Sequence, residues 1–358
     1  MSGNKELENI RKEIDELDTK LLSLLNLRSK LAQKAGASKK DKFLYRPERE
    51  ASIYQKLKEN NQGPLKDQQI VFIFNEIISS CRAVEEELDV AFLGPEGTYS
   101  DSAVKAKFGS SILKKPSETI EDVFKKVEEK KGTYGIVPIE NSTEGPINIT
   151  LDCLASYECK ICGELEMKIH HSLMGLDKAL PREEFEIHAH EQTLAQCKIW
   201  LDSYCPNVER VVVSSNAHAA LEASKEKRVL AIAGSLAAEQ YGLEIIKSNI
   251  EDYSGNTTRF ISIGSQEIGP TGRDKTSIII TTKNEPGALY SVLKPIQKNK
   301  LNLTHITYRP SKINKWNYAF FFDFEGHKDD ENVKSLLNEL EAIEAGLKIL
   351  GSYPKAEG

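Results

Sequence analysis

Ile10, Ile14, Leu17, Leu21, Leu24, Leu25 and Leu31 recur at helical spacing, with neither glycine nor proline between Ile10 and Gly36. The pattern predicts a first helix of unusual length. After a loop ending at Pro47 a second helix starts near Glu48, and QQIVFIFNEIISSCRAVEE makes a third beyond Gly63-Pro64. Residues 5–87 thus read as all helix. Three helices alone cannot bury the apolar face of so long a first member, so it is expected to pair with a second copy of itself. A dimerisation module without chemistry would show the same pattern.

From Leu88 to about Gly264 the texture changes. LDVAFLG, a helical ETIEDVFKKVEEKK and YGIVPI alternate strand with helix, and ICGELEMKIHHSLMG, RVVVSS, RVLAIAG and RFISIG supply further strands. Such alternation predicts an α/β unit with parallel strands that collect ligands at their carboxyl ends, here as two lobes flanking a cleft. SQEIGPTGRD reads as a linker. Beyond it KTSIIITTK, a helix with Leu289, Val292, Leu293 and Ile296 on one face, LNLTHITYRP, WNYAFFFDFEG, ENVKSLLNELEAI and LKILGSY complete a ferredoxin-like βαββαβ unit. The expected organisation is an all-helical domain over 1–87, a two-lobed α/β domain over 88–264, a linker over 265–274 and the βαββαβ unit over 275–358.

At 358 residues the chain exceeds one ordinary core. A net charge of −6 gives no reason to expect nucleic acid, and no apolar run approaches the roughly 20 residues that span a bilayer. MSGNKELENI lacks the apolar core of a secretion signal, so a cytoplasmic protein is expected. The six scattered cysteines then read as reduced thiols. Cys159 and Cys162 form the one CxxC, but zinc wants four ligands, and residues three apart in a strand face opposite ways. No metal is expected.

Three segments carry candidate chemistry. In GIVPIENSTEGPI, a strand delivers Glu140, Asn141, Ser142 and Thr143 together at its end. That is where open α/β sheets bind ligands; a helix start capped by Ser142 or Thr143 is the plainer reading. FLGPEGTYSDSA also joins a strand to a helix, so Gly97, Thr98 and Ser100 can offer amides and hydroxyls to a carboxylate. It is neither a dinucleotide nor a phosphate-loop motif. NTTRF at 256–260 puts two threonines and an arginine before a strand.

In this order, with HSLMG at 171–175, LAQC at 194–197 and LAAEQYGL at 236–243, these segments resemble prephenate dehydratase over about residues 89–264. The helical part resembles the all-helical chorismate mutase domain, with Arg11, Arg28, Lys39, Arg49, Glu50, Cys81 and Glu85 matching its site. The carboxyl-terminal part looks like an ACT domain, the module that binds phenylalanine in this family. Together they resemble the bifunctional enzymes of phenylalanine biosynthesis over essentially the whole chain.

The resemblance implies two reactions and no cofactor. Chorismate to prephenate is an intramolecular rearrangement, so a site need only hold the reactive conformer and stabilise charge at the ether oxygen. Arg28 and Arg49 are expected to clamp carboxylates, Lys39 and Glu85 to donate to the ether, Cys81 to line the site and Glu50 to accept from a hydroxyl. Arg11 lies 17 residues from Arg28, about 26 Å along a helix, so it is expected to serve the site of a partner in a homodimer. That leaves room for a higher oligomer.

Prephenate must lose carbon dioxide and its ring hydroxyl. The resemblance makes Thr258 the essential residue, with Glu140, Asn141 and Ser142 lining the same cleft. Arg259 is placed for a carboxylate or for structure, and Gln192 and Ser215 complete the pocket. His218 reads as a surface helix residue. In the ACT segment Gly287, Ala288, Leu289, Asn302, Tyr308, Arg309 and Pro310 flank the expected phenylalanine site, although Thr307-Tyr308 stand where Glu-Ser is usual. An arogenate dehydratase, or an amino-acid sensor without catalysis, are the rival expectations.

Overall fold

The computed structural model describes residues 2–38, 43–130, 132–178, 182–310, 318–343 and 346–356. Helices α1 (Ser2–Ala37), α2 (Pro47–Asn60) and α3 (Asp67–Ala83) form the first unit. The 36 residues of α1 span about 54 Å, far more than α2 or α3 can cover. Leu17, Leu21, Leu24 and Leu31 are each more than half exposed. Where α1 does meet the end of α3, Gln33 Nε2 donates to the carbonyl of Val84 at 3.4 Å.

The α/β unit begins with β1 (Asp89–Leu93), α4 (Tyr99–Phe108), β2 (Leu113–Ser117), α5 (Ile120–Glu129) and β3 (Tyr134–Asn141). The two-residue β4 (Gly145–Pro146), α6 (Asn148–Ser156) and β5 (Lys160–Lys168) follow. The chain then crosses into a second lobe. It contains β6 (Ser172–Gly175), β7 (Glu186–Ala189), α7 (Glu191–Gln196), α8 (Lys198–Tyr204) and β8 (Glu209–Val212). Next come α9 (Asn216–Ala223), β9 (Val229–Ala233), α10 (Ser235–Tyr241) and β10 (Glu244–Lys247), and the chain returns as β11 (Thr257–Gly264). Strand order is β2-β1-β3-β11-β5 in the first sheet, with β4 on β3, and β10-β6-β9-β7-β8 in the second.

ICGELEMKIHHSLMG is therefore two strands in different sheets, broken at the crossing. Two crossings brace each other: Ile169 N donates to the carbonyl of Asn256 and Ile250 N to that of His171, both at 2.9 Å. Cys159 and Cys162 belong to different cores, on the two faces of the first sheet.

The last unit runs β12 (Asp274–Thr282), α11 (Ala288–Lys298), β13 (Leu303–Pro310), β14 (Tyr318–Glu325), α12 (Glu331–Ala342) and β15 (Gly346–Pro354), in the order β13-β14-β12-β15. Alternation along its strands serves two cores at once. Ile278, Ile280, Phe322 and Phe324 pack under α11 and α12, while Ile279, Ala319 and Phe321 join the core of the α/β unit beside Val137 and Ile261. The helical unit is tied in the same way, through Tyr45 packed with Phe108 and Tyr134. Even the segment over 265–274 is no loose tether, since Ile268 is buried and Gln266 Nε2 donates to the carbonyl of Tyr45 at 3.0 Å. Among the described residues no helix is long and apolar enough to cross a membrane.

Candidate active site

Antiparallel pairing of β3 with β11 sets Thr258 opposite Asn141 and Arg259 opposite Glu140, with the register shifting immediately afterwards. Neighbours in a strand point to opposite faces, so the two pairs part company. Thr258 and Asn141 share one face and are buried. Asn141 Nδ2 donates to Thr258 Oγ1 at 2.9 Å and to Asn256 Oδ1 at 2.8 Å, while Asn141 Oδ1 accepts from the N–H and hydroxyl of Thr143 at 3.0 and 2.6 Å.

The network continues across the crossing strands. Asn256 Nδ2 approaches Gln196 Oε1 at 3.4 Å, Gln196 Oε1 meets His171 Nε2 at 2.8 Å, and His171 Nδ1 meets the Tyr99 hydroxyl at 2.7 Å. Burial pushes His171 below its usual value, against the contact with Gln196 and the charge of Glu251, so its ring is neutral at neutral pH. Nε2–H donates to Gln196, while the single proton of the Tyr99 hydroxyl lies between two acceptors, His171 Nδ1 and the carbonyl of His170 at 2.8 Å. Thr258 is thus an acceptor toward Asn141, and its own hydroxyl proton has no acceptor among the described residues.

Glu140 faces the other way, correcting the expectation that it lines the cleft, and Arg259 shares that face. Glu140 lies 3.5 Å from His305 of β13. Arg259 is buried among Glu164 (2.7 Å), Asp323 (2.6 Å) and the Tyr353 hydroxyl (3.2 Å), and Lys275 Nζ completes the cluster 2.8 Å from Glu164. Structure, of the two roles open to Arg259, is the one its surroundings match.

Several hydroxyls expected to bind a ligand also hold backbone. Thr98 caps α4 by accepting from Asp101 N, Ser215 caps α9 by accepting from His218 N at 3.0 Å, and Ser142 accepts from Thr257 N at 2.9 Å. Neither Ser142 nor Thr143 caps a helix, because α6 starts only at Asn148. Ser100, buried in the first turn of α4, and half-buried Gln192 make no side-chain hydrogen bond among the described residues. Gly97, with φ +83, lies where a β-carbon would meet Ala237 of α10 at 3.3 Å, so the loop and the second lobe touch closely. His218 pairs with Glu222 one helical turn on, at 3.3 Å.

The expected mutase residues gather only in part. Along the seam of α1 and α3, Cys81 is buried, and the Glu85 carboxylate fills the space beside Gly36 that a β-carbon would take, 2.0 Å from it. Arg28 is half-buried, close enough to Tyr54 of α2 to act on it electrostatically, and Arg49 is exposed. Arg11 sits far along the uncovered half of α1. Lys39 lies outside the described residues. Glu50 departs from expectation: it is buried against Arg82 at 2.8 Å, and Arg82 also donates to the carbonyl of Phe108. Rather than facing a substrate hydroxyl, it pins α2 to α3 against the α/β unit.

In the last unit Gly287, with φ +86, precedes Ala288 and Leu289 at the start of α11, and Tyr308 is exposed against the rings of Tyr318 and Phe320. Asn302 bonds to Glu325. Arg309, next to Pro310 at the end of β13, forks on Asp152 of α6 at 3.0 and 3.1 Å, so it reaches into the α/β unit.

Three family models match: chorismate mutase type II over residues 10–86, prephenate dehydratase over 90–268 and the ACT domain over 276–342. The bifunctional chorismate mutase/prephenate dehydratase of Stutzerimonas stutzeri is 45% identical, covering 99% of this chain and all of that one. That of Aquifex aeolicus is 42% identical over 98% and 99% of the two chains. Among solved structures, the prephenate dehydratase of Arthrobacter aurescens in complex with L-Phe aligns with a TM-score of 0.66 and 31% identity, covering 74% of this chain and 89% of that one.

Proposed function

Since the chain belongs to the bifunctional chorismate mutase/prephenate dehydratase family, it rearranges chorismate to prephenate and converts prephenate to phenylpyruvate in phenylalanine biosynthesis, and we propose how its residues divide that work. The dehydratase step runs at Thr258. One observation carries this reading, the 2.9 Å hydrogen bond by which Asn141 donates to Thr258 Oγ1. With its lone pair engaged, the hydroxyl directs its proton outward, toward the ring oxygen that departs. As the carboxylate–ring bond breaks and its electrons form the aromatic system, the C–O bond cleaves and negative charge builds on that oxygen. A fixed donor there stabilises the transition state more than the ground state. A threonine hydroxyl is too weak an acid to surrender its proton outright, so its part is to orient and stabilise, with the Asn256–Gln196–His171–Tyr99 chain keeping Asn141 in place. Ser100 and the free amides opening α4 suit a substrate carboxylate.

The mutase step is assigned to the α1–α3 seam, where Arg28 and Arg49 hold carboxylates and Glu85 donates to the ether oxygen as the protonated acid, a role shared with Lys39. Arg11 of a second copy completes each site, in a homodimer that buries the leucine face of α1. Phenylalanine binds at the ACT domain, whose presence supplies the regulatory element, and inhibits the dehydratase.

Chorismate feeding tests the division. Thr258→Ala should halt phenylpyruvate formation and let prephenate accumulate, and Asn141→Ala should do the same less completely, at a cost on the order of 100-fold in dehydratase turnover. A folded Thr258→Ala variant with normal phenylpyruvate output would remove Thr258 from the reaction.

A further inference from the structure

A cavity of about 650 Å³ opens where all three units meet, apart from both sites above. Its size falls within the range of small-molecule pockets. α2 and α3 contribute Tyr54, Val71, Phe72 and Asn75; α4 and β5 contribute Ala106, Lys107 and Leu165; Leu236 comes from α10, and Arg273 and Lys355 from the ends of the ACT unit. Among the described residues, Glu50 alone of those expected in the mutase site lines it, and none of those expected in the dehydratase site does.

Charge around the cavity is unbalanced. Each carboxylate on its wall already has a cation of the protein: Glu50 has Arg82 at 2.8 Å, Glu164 has Arg259 and Lys275, and Glu239 has Lys105 at 3.5 Å. Two wall cations have none. Lys107 Nζ donates only to the carbonyl of Glu164, at 3.3 Å, and neither it nor Arg273 has a carboxylate within 4.0 Å among the described residues. Burial pushes the Lys107 ammonium down, and the more distant charges of Glu50 and Glu164 do not make this up. The remaining wall is largely apolar and aromatic, the lining that suits a ring.

We propose that this cavity is a fourth small-molecule site, beside the two catalytic sites and the phenylalanine site, which takes the carboxylate of a compound with a six-membered ring, with Lys107 and Arg273 as its anion partners. Because its wall is drawn from the mutase helices, the dehydratase and the ACT unit together, an occupant holds all three in one arrangement. Such a ligand shares its chemistry with this enzyme's own substrates and products, but it binds where neither reaction runs.

The test is a fluorine NMR titration of the full chain with 4-fluorophenylacetate, in the presence of saturating L-phenylalanine to fill the regulatory site. Saturable binding is expected in the millimolar range. Lys107→Met and Arg273→Gln should each weaken it about tenfold, as expected for losing one charge-assisted contact, and Thr258→Ala should leave it unchanged. Arg273 is exposed, so its variant folds even if Lys107→Met does not. Failure to saturate, indifference to both cavity variants, or loss of binding in Thr258→Ala would each overturn the site.

Discussion

Arg259 reaches Asp323 across 2.6 Å, joining the residue beside Thr258 to an interior strand of the ACT sheet. Both side chains are nearly inaccessible, and Ser277 donates to the other oxygen of Asp323 at 2.6 Å. A displacement of the ACT sheet therefore acts directly on β11. Asp323→Asn, which keeps the shape and removes the charge, should preserve most dehydratase activity while raising the phenylalanine concentration for half-inhibition by about fivefold or more. An unaltered dose–response curve in the folded variant would place the signal elsewhere.

Acid should loosen the same junction. Burial pushes Glu164 up, but the charges of Arg259 and Lys275 and the N–H of Ala356 outweigh it and hold the carboxyl below its usual 4.5. A depressed folded-state value contributes stability that is fully present above the unfolded value and is lost as pH falls through the folded one. Melting temperature should accordingly drop below about pH 4.5. Glu164→Gln should lack that portion of the drop and be less stable at pH 7 by about 3 kcal/mol, because Arg259 and Lys275 remain buried with one counter-charge fewer. Calorimetric scans of both proteins from pH 3 to about pH 7 decide the matter.

Gly36 and Glu85 give the mutase a separable test. A β-carbon at Gly36 would stand 2.0 Å from Glu85 Oε1, so Gly36→Ala must move that carboxylate. The same change favours the helix by roughly 0.5–1 kcal/mol. Mutase turnover should fall by about 10- to 100-fold with dehydratase turnover on supplied prephenate unchanged and thermal stability slightly raised. Unchanged mutase turnover in the folded variant would mean that Glu85 has no role at the ether oxygen.

Sharing of Arg11 between copies predicts complementation. Arg11→Ala and Arg28→Ala homodimers should each be nearly inactive as mutases, whereas subunit exchange should restore up to one intact site in each mixed dimer. Recovered activity at a stoichiometry set by mixing supports a swapped site; none after exchange verified by mass spectrometry counts against it.

Much of this architecture was present in local pattern. The uninterrupted spacing from Ile10 to Leu31 determined a long amphipathic α1, because an apolar face repeats at the period of the helix, whereas the strands of the two α/β lobes show as short continuous apolar runs such as VLAIA, buried on both faces of their sheets. Short edge strands escaped: β2, LKKPS, carries a single large apolar residue and is held by its neighbour rather than by its own pattern. The candidate site was legible as motifs but not as partners. Asn256, Gln196, His171 and Tyr99 all lie within the segments that carried the family resemblance, yet nothing local indicates that they join across a lobe crossing into one chain leading to Thr258. Nor could NTTRF or GIVPIEN show that Arg259 and Glu140 turn their backs on the residues beside them. That depends on which sheet covers each face of β3 and β11, and on Arg82 finding Glu50 from 32 residues away. Elements follow from periodicities a few residues long, whereas the direction and pairing of a charged side chain are set by whatever distant segment offers it a counter-charge out of water.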